Sequence, residues 1–242
     1  MNQGQNPSGS APALDGVAYL ISVMARLRAP GGCPWDARQT HQSLVQYLLE
    51  EAYEAAEAID QGNRDDMREE LGDVLLQVVF HSLIAAEATE DQFDIDDLAR
   101  LAGDKLVRRH PHVFSDDQAE DLSAEESHKR WDRIKTEEKS RRSVLDGIPV
   151  GQPALARAQK VFGRARRAGL DLSQIDSLDI MSGADAEGEL AGGDSLGRRL
   201  AALAAEADAA GLDAEQALRA ATRRLEERIR MIESEQSGRK ET

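Results

Sequence analysis

Apolar positions recur at helical spacing along nearly the whole chain, and runs of Val, Ile, Thr and aromatic residues at a period of two are missing. The pattern predicts an all-α protein. A first helix over about Gly16 to Leu27 stops before "RAPGGCPWD", where two prolines and two glycines enforce a loop. Thr40 stands as the N-cap of a second helix reaching about Ile59, and "DQGNRDD" is a turn. A third helix runs from about Asp65 to Thr89, and a fourth from Ile95 to His110, which "HPHVFSDD" breaks. Ser123 and Glu126 have the S-x-x-E spacing of a capping box and open a fifth helix ending near Ser140. "LDGIPVGQP" then reads as a linker, and "MSGADAEGELAGGDS" as a loop.

Beyond the linker the composition shifts toward Ala, Gly, Asp and Arg. A shift of 119 residues lays Phe93 to Arg109 on Leu212 to Arg228, matching Asp94/Asp213, Arg100/Arg219, Ala102/Ala221, Leu106/Leu225 and Arg109/Arg228. The expected organisation is a flexible tail over residues 1–15, a first domain over 16–140, a linker and helix start over 141–165, and a degenerate second helical repeat over 166–242.

On the second helix, Leu44, Leu48, Ala52, Ala55 and Ile59 share an arc of about 80°, with Glu50, Glu54 and Glu57 opposite and Glu51 at the boundary. By itself this is an ordinary solvated acidic face. The third helix changes the reading. Leu71, Val74, Leu75, Leu76, Val78, Val79, Phe80, Leu83 and Ile84 surround most of its axis, as in a helix buried on nearly all sides. Its polar residues form one narrow stripe, Glu70, Asp73, Gln77 and His81. Ionised carboxylates in such a setting cost several kcal/mol each unless a cation compensates them. Gly72 costs helix stability, about 1 kcal/mol against Ala, and points to close approach of a neighbouring helix.

The E-x-x-[E/D] pairs Glu51/Glu54 and Glu70/Asp73 can therefore converge as an oxygen cage. Carboxylates without His or Cys suit Mg²⁺ or Mn²⁺ better than zinc. The alternative, a structural salt-bridge cluster, finds few cations in the required positions. Because Mg²⁺ is usually held by few carboxylates plus substrate phosphates, a nucleotide or other phosphate ester is implied. Lys105, Arg108 and Arg109 supply basic groups, with Lys105 and Arg109 one turn apart on one face. Trp131 and Lys135 stand at i and i+4, an aromatic face for a base and an ammonium for phosphate; solvated basic faces and a core Trp are the plainer reading. His110 and His112 flank Pro111 and read as structural rather than metal-ligating. "GGCPWD" is no P-loop, having neither the Lys nor the spacing.

Thirty Lys and Arg against forty-five Asp and Glu give a net charge of −15, which argues against broad nucleic-acid or anionic-membrane binding. Cys33 is the one cysteine, so no intramolecular disulfide and no cysteine-built zinc site arises within the chain. The first sixteen residues have no basic and apolar leader pattern, and no apolar run approaches the roughly 18 residues of a membrane span. A soluble cytoplasmic protein is the simplest expectation.

The ordered set "GGCPWDARQTHQSL", "LLEEAYEAAEAI", "REELGDVLLQVVFHS", "KLVRRHPHVF", "RWDRIKTEEK" and "LDGIPVGQPALARAQK" closely resembles MazG, the nucleoside triphosphate pyrophosphohydrolase family of the all-α NTP pyrophosphatase superfamily. The resemblance is dense over about residues 16 to 168. It implies a four-helix-type, dimer-forming domain that converts NTPs and dNTPs to the monophosphate and pyrophosphate with Mg²⁺. The family's metal motif falls on Glu51, Glu54, Glu70 and Asp73, and its nucleotide-contacting positions on Lys105, Arg109, Trp131 and Lys135. Glu50 or a neighbouring carboxylate would orient or deprotonate the attacking water. Better-known full-length members carry two such domains, whereas the second half here lacks the acidic motif, so the chemistry is expected in the first half. A narrower pyrophosphatase acting on dUTP or phosphoribosyl-ATP would share the acidic motifs, and a non-catalytic nucleotide-sensing or dimerisation module is the reading from a different class.

Overall fold

The computed structural model describes residues 15–115, 122–138, 142–170 and 193–240. The expected N-terminal tail up to residue 14 and the expected loop up to residue 192 lie outside them. Every regular element among the described residues is helical: α1 (Gly16–Arg28), a 3₁₀ turn (Asp36–Arg38), α2 (His41–Gln61), α3 (Arg64–Ala86), α4 (Ile95–Arg109), the single turn α5 (Pro111–Phe114), α6 (Ala124–Glu137), α7 (Ala154–Arg167), α8 (Gly193–Ala210) and α9 (Ala214–Lys240). The all-α expectation holds. The last three residues of the expected loop open α8 instead.

Helix starts follow local chemistry. The Thr40 hydroxyl accepts from Ser43 N–H while the Ser43 hydroxyl accepts from Thr40 N–H, a reciprocal cap on α2. Asp94 and Asp97 cap α4 in the same way, and Ser123 and Glu126 do so for α6. Gly62 ends α2 at φ +72°, a left-handed conformation that glycine adopts without strain, and the Asn63 side chain caps α3 immediately afterwards. Only Gly62 and Asn63 separate the two helices, which fold back on one another as a hairpin.

The chain divides into two units, residues 1–134 and 135–242, with the division inside α6. In the first, Met24 of α1, Leu44 of α2 and Val79 and Phe80 of α3 form the buried core, with Leu20, Leu27, Tyr47, Leu76, Leu83 and Ile95 packed around them. Leu44 and Val79 are essentially closed to solvent, and burial of such a side chain contributes about 1.5–3 kcal/mol. Arg28 ties the end of α1 to the end of α3: its guanidinium donates twice to Glu87, once to the Asp36 carbonyl, and lies over the Phe80 ring. Gly32 is required in the following loop, since a Cβ there would collide with the Leu27 and Arg26 carbonyl oxygens.

Two expectations for α3 are corrected. Its axis is not buried on nearly all sides: Leu71, Leu75 and Val78 are exposed, and on α2 so are Val45, Leu49, Tyr53 and Ile59. Ala58, outside the apolar arc, is buried while Ala52, inside it, is exposed. A Cβ on Gly72 would meet nothing within 4 Å, so no helix of the described chain approaches it closely.

In the second unit α7 packs against α8 and α9. The Gln159 carboxamide donates to the Leu212 carbonyl and accepts from Ala214 N–H, stitching the turn between α8 and α9. Arg166 pairs with Asp208 at 2.9 Å. Asp213 accepts from Gln216 N–H at the start of α9, the capping role that Asp94 has in α4.

Candidate active site

The α2–α3 hairpin brings together Glu51, Glu70 and Asp73, all half-buried, with one carboxylate oxygen from each lying within 4.8 Å of the others. The reason is local. Glu70 and Asp73 are one turn apart on α3, and the two-residue connection sets that turn across from the middle of α2. Partial burial and the surrounding carboxylates of Asp73, Glu54, Glu70 and Glu50 hold Glu51 above its usual range. Partial burial, then Glu54 and Asp73, do the same for Glu70. Glu54 is exposed and stands outside the close trio, near enough to act on both. Glu50 is exposed too. The donor set is oxygen only and its carboxylates repel one another, chemistry that a hard divalent ion fits.

The stripe continues along α3. Gln77 is only 6% exposed, and its Oε1 has no hydrogen-bond partner. One turn further, His81 meets His41 through their Nδ1 atoms, and its Nε2 is buried without a partner. His41, the first residue of α2, is not singled out by the sequence, because it lies 40 residues from His81 and no local pattern relates the two.

The basic and aromatic candidates group around α4 and α6. Arg109 is buried, not part of a solvated basic face, and its guanidinium lies 5.3 Å from the Trp131 ring centroid. His128 stacks beside the same indole, and His110, Ser127, His128 and Trp131 line a shallow depression. Lys105 is half-buried and Arg108 exposed on α4. Lys135 lies one turn beyond Trp131 on α6, past the division between the units. His110 Nδ1 contacts the Leu106 carbonyl at 2.7 Å.

A carboxylate trio on a helical hairpin, with a further acidic residue beside it, defines an all-α protein with an oxygen-only cluster compatible with metal binding. Residues 39–114 match the family model of the MazG nucleotide pyrophosphohydrolase domain. The chain is 40% identical over 222 residues to the nucleoside triphosphate pyrophosphohydrolase/pyrophosphatase MazG of Thermotoga maritima, covering 88% of this chain and 84% of that protein. It is 46% identical over 215 residues to an uncharacterized 26.1 kDa protein of Streptomyces cacaoi, covering 88% and 81%. It is also 48% identical over 160 residues to the nucleoside triphosphate pyrophosphohydrolase of Escherichia coli K12, covering 64% of this chain and 59% of that one. The chain belongs to the MazG family. Among the described residues no helix is long and apolar enough to cross a membrane.

Proposed function

We propose that this protein hydrolyses nucleoside triphosphates, ribo or deoxy, to the monophosphate and pyrophosphate, using Mg²⁺ with Mn²⁺ as a substitute. The observation that carries the reading is the convergence of Glu51, Glu70 and Asp73, with two of the three held above their usual range by repulsion and partial burial. Glu51, Glu70 and Asp73 would hold the ion, with Glu54 completing the set as substrate enters. The ion would supply charge neutralisation at the triphosphate and a more acidic water. Glu50, exposed on the same helix, is suited to take a proton from the attacking water. Lys105 and Arg108 would offset charge developing on the pyrophosphate.

Trp131 and Arg109 have a narrower role than sequence suggests. Arg109 lies over the indole and His128 stacks beside it, so a base would share the ring with these two neighbours. The exposed apolar face formed by Leu71, Leu75 and Val78 on α3 and by Val45, Leu49 and Tyr53 on α2 supports a homodimer. Glycine at position 72 on that hairpin leaves room for the second copy.

Turnover of a panel of NTPs, dNTPs, dUTP, phosphoribosyl-ATP and oxidised nucleotides with Mg²⁺, with products identified by chromatography, tests this function. Release of monophosphate and pyrophosphate is expected. Binding without turnover across the panel would identify a nucleotide-sensing module instead.

A further inference from the structure

Gln77 has no use in the scheme above, yet it is 6% exposed and its Oε1 is buried without a partner. A buried carbonyl left unpaired costs about 1–3 kcal/mol, so a residue of this kind in a core helix calls for a reason. Its place supplies one. Gln77 follows Asp73 by four residues, which puts the two on one face with Cβ atoms about 5–6 Å apart. Helical side chains lean toward the N-terminus and cover the turn before their own Cα. For Gln77 that turn is the one carrying Asp73, a member of the carboxylate trio.

We propose that Gln77 is a positioning residue of the hydrolytic centre, its carboxamide oxygen accepting a hydrogen bond from the water that attacks the α-phosphorus. This rests on the pyrophosphohydrolase reading. In the step, the water oxygen forms the new bond to the α-phosphorus. The bond from that phosphorus to the bridging oxygen breaks, and pyrophosphate leaves with that oxygen and the bond's electron pair. One proton of the water goes to a carboxylate and then to solvent. The water's second proton also needs an acceptor, and one that will not remove it. An amide oxygen is far less basic than a carboxylate, so it fixes the water's orientation without competing for the proton, and it adds no negative charge to an already crowded acidic cluster. A glutamine that orients an attacking water is a recurring device in phosphoryl-group chemistry.

The test compares the wild-type full chain with Gln77→Met, which keeps length and volume but removes the acceptor, and Gln77→Glu, which keeps an acceptor oxygen. For Gln77→Met the expected result is a fall in kcat of tenfold or more with KM within twofold, a melting temperature without ion equal to or above wild type, and Mn²⁺ affinity, measured calorimetrically without nucleotide, within twofold. Gln77→Glu should also have a lowered kcat, because its carboxylate competes for the water's proton and adds negative charge to the acidic cluster. Normal kcat in Gln77→Met overturns the proposal, as does a lowered melting temperature that accompanies the lost activity, which marks a structural role. A tenfold loss of Mn²⁺ affinity overturns it too, since Gln77 would then be a ligand. If wild type itself releases no pyrophosphate from any nucleotide, the underlying reading fails, a result distinct from an active wild type with an equally active Gln77→Met.

Discussion

The Nδ1 atoms of His41 and His81 lie 2.8 Å apart with their rings 5° from parallel. One proton can occupy that gap, so one imidazole donates and the other accepts, and the pair holds together only while at least one ring is neutral. Burial, and then the neighbouring His41, lower the His81 pKa from 6.5.

A depressed histidine pKa means that the unfolded chain takes up a proton the native state resists. Its contribution to stability is present above about pH 6.5 and is lost as pH falls below it. Urea unfolding at pH 7.5, 6.5 and 5.5 should show this decline, and His81→Leu should flatten it. An equal slope in both proteins would assign the effect to other groups.

Glu51 and Glu70 act with the opposite sign. Their pKa values are raised, so the native state is favoured below about pH 4.5 and loses stability as pH rises through their folded values. At neutral pH and without divalent ion, Glu70→Gln should therefore melt a few degrees above wild type. Addition of Mg²⁺ should raise wild type more than the variant. Thermal melts in chelator and in excess Mg²⁺ measure both quantities, and a wild type indifferent to the ion would remove the metal from the scheme.

Asp73→Ala should reduce turnover by roughly a hundredfold or more while the helical circular dichroism stays native, because a lost ligand disorders the ion and everything it orients. The half-buried position of Asp73 leaves little packing to lose. Near-normal rates in a folded Asp73→Ala protein would contradict the assignment.

Arg109 and Trp131 should couple energetically. A guanidinium over an indole contributes about 2 kcal/mol when desolvated, and Arg109 is buried. A double-mutant cycle of Arg109→Met and Trp131→Leu by urea unfolding should give an interaction of about 1–2 kcal/mol. If Trp131→Leu leaves stability unchanged but raises KM for every nucleotide alike, the indole is a stacking surface and its contact with Arg109 is incidental.

The helix starts and the acidic trio were legible because the signals are short-ranged. Thr40 reads its own next turn, Ser123 reads Glu126, and Glu70 and Asp73 share a face by spacing alone. What was hidden depends on pairs distant in sequence. The contacts of His41 with His81 and of Arg28 with Glu87 join residues that no local pattern relates. Arg109 looked like a solvated cation because nothing near it in sequence says that an indole on another helix covers it. The breadth of the apolar surface on α3 was readable, but not what covers it: a helical wheel counts a face that a single chain leaves exposed in the same way as one buried in its own core.

The turn at Gly62 and Asn63 also bears on how quickly the site can assemble. Every member of the trio comes from a single hairpin, so the carboxylates meet by closing one short loop, with no need for distant segments to find each other first. Contacts of such low sequence separation form early in folding. A divalent ion present during refolding should then speed the folding limb itself as well as slow unfolding, whereas an ion gathering ligands from remote parts of a chain acts mainly on unfolding.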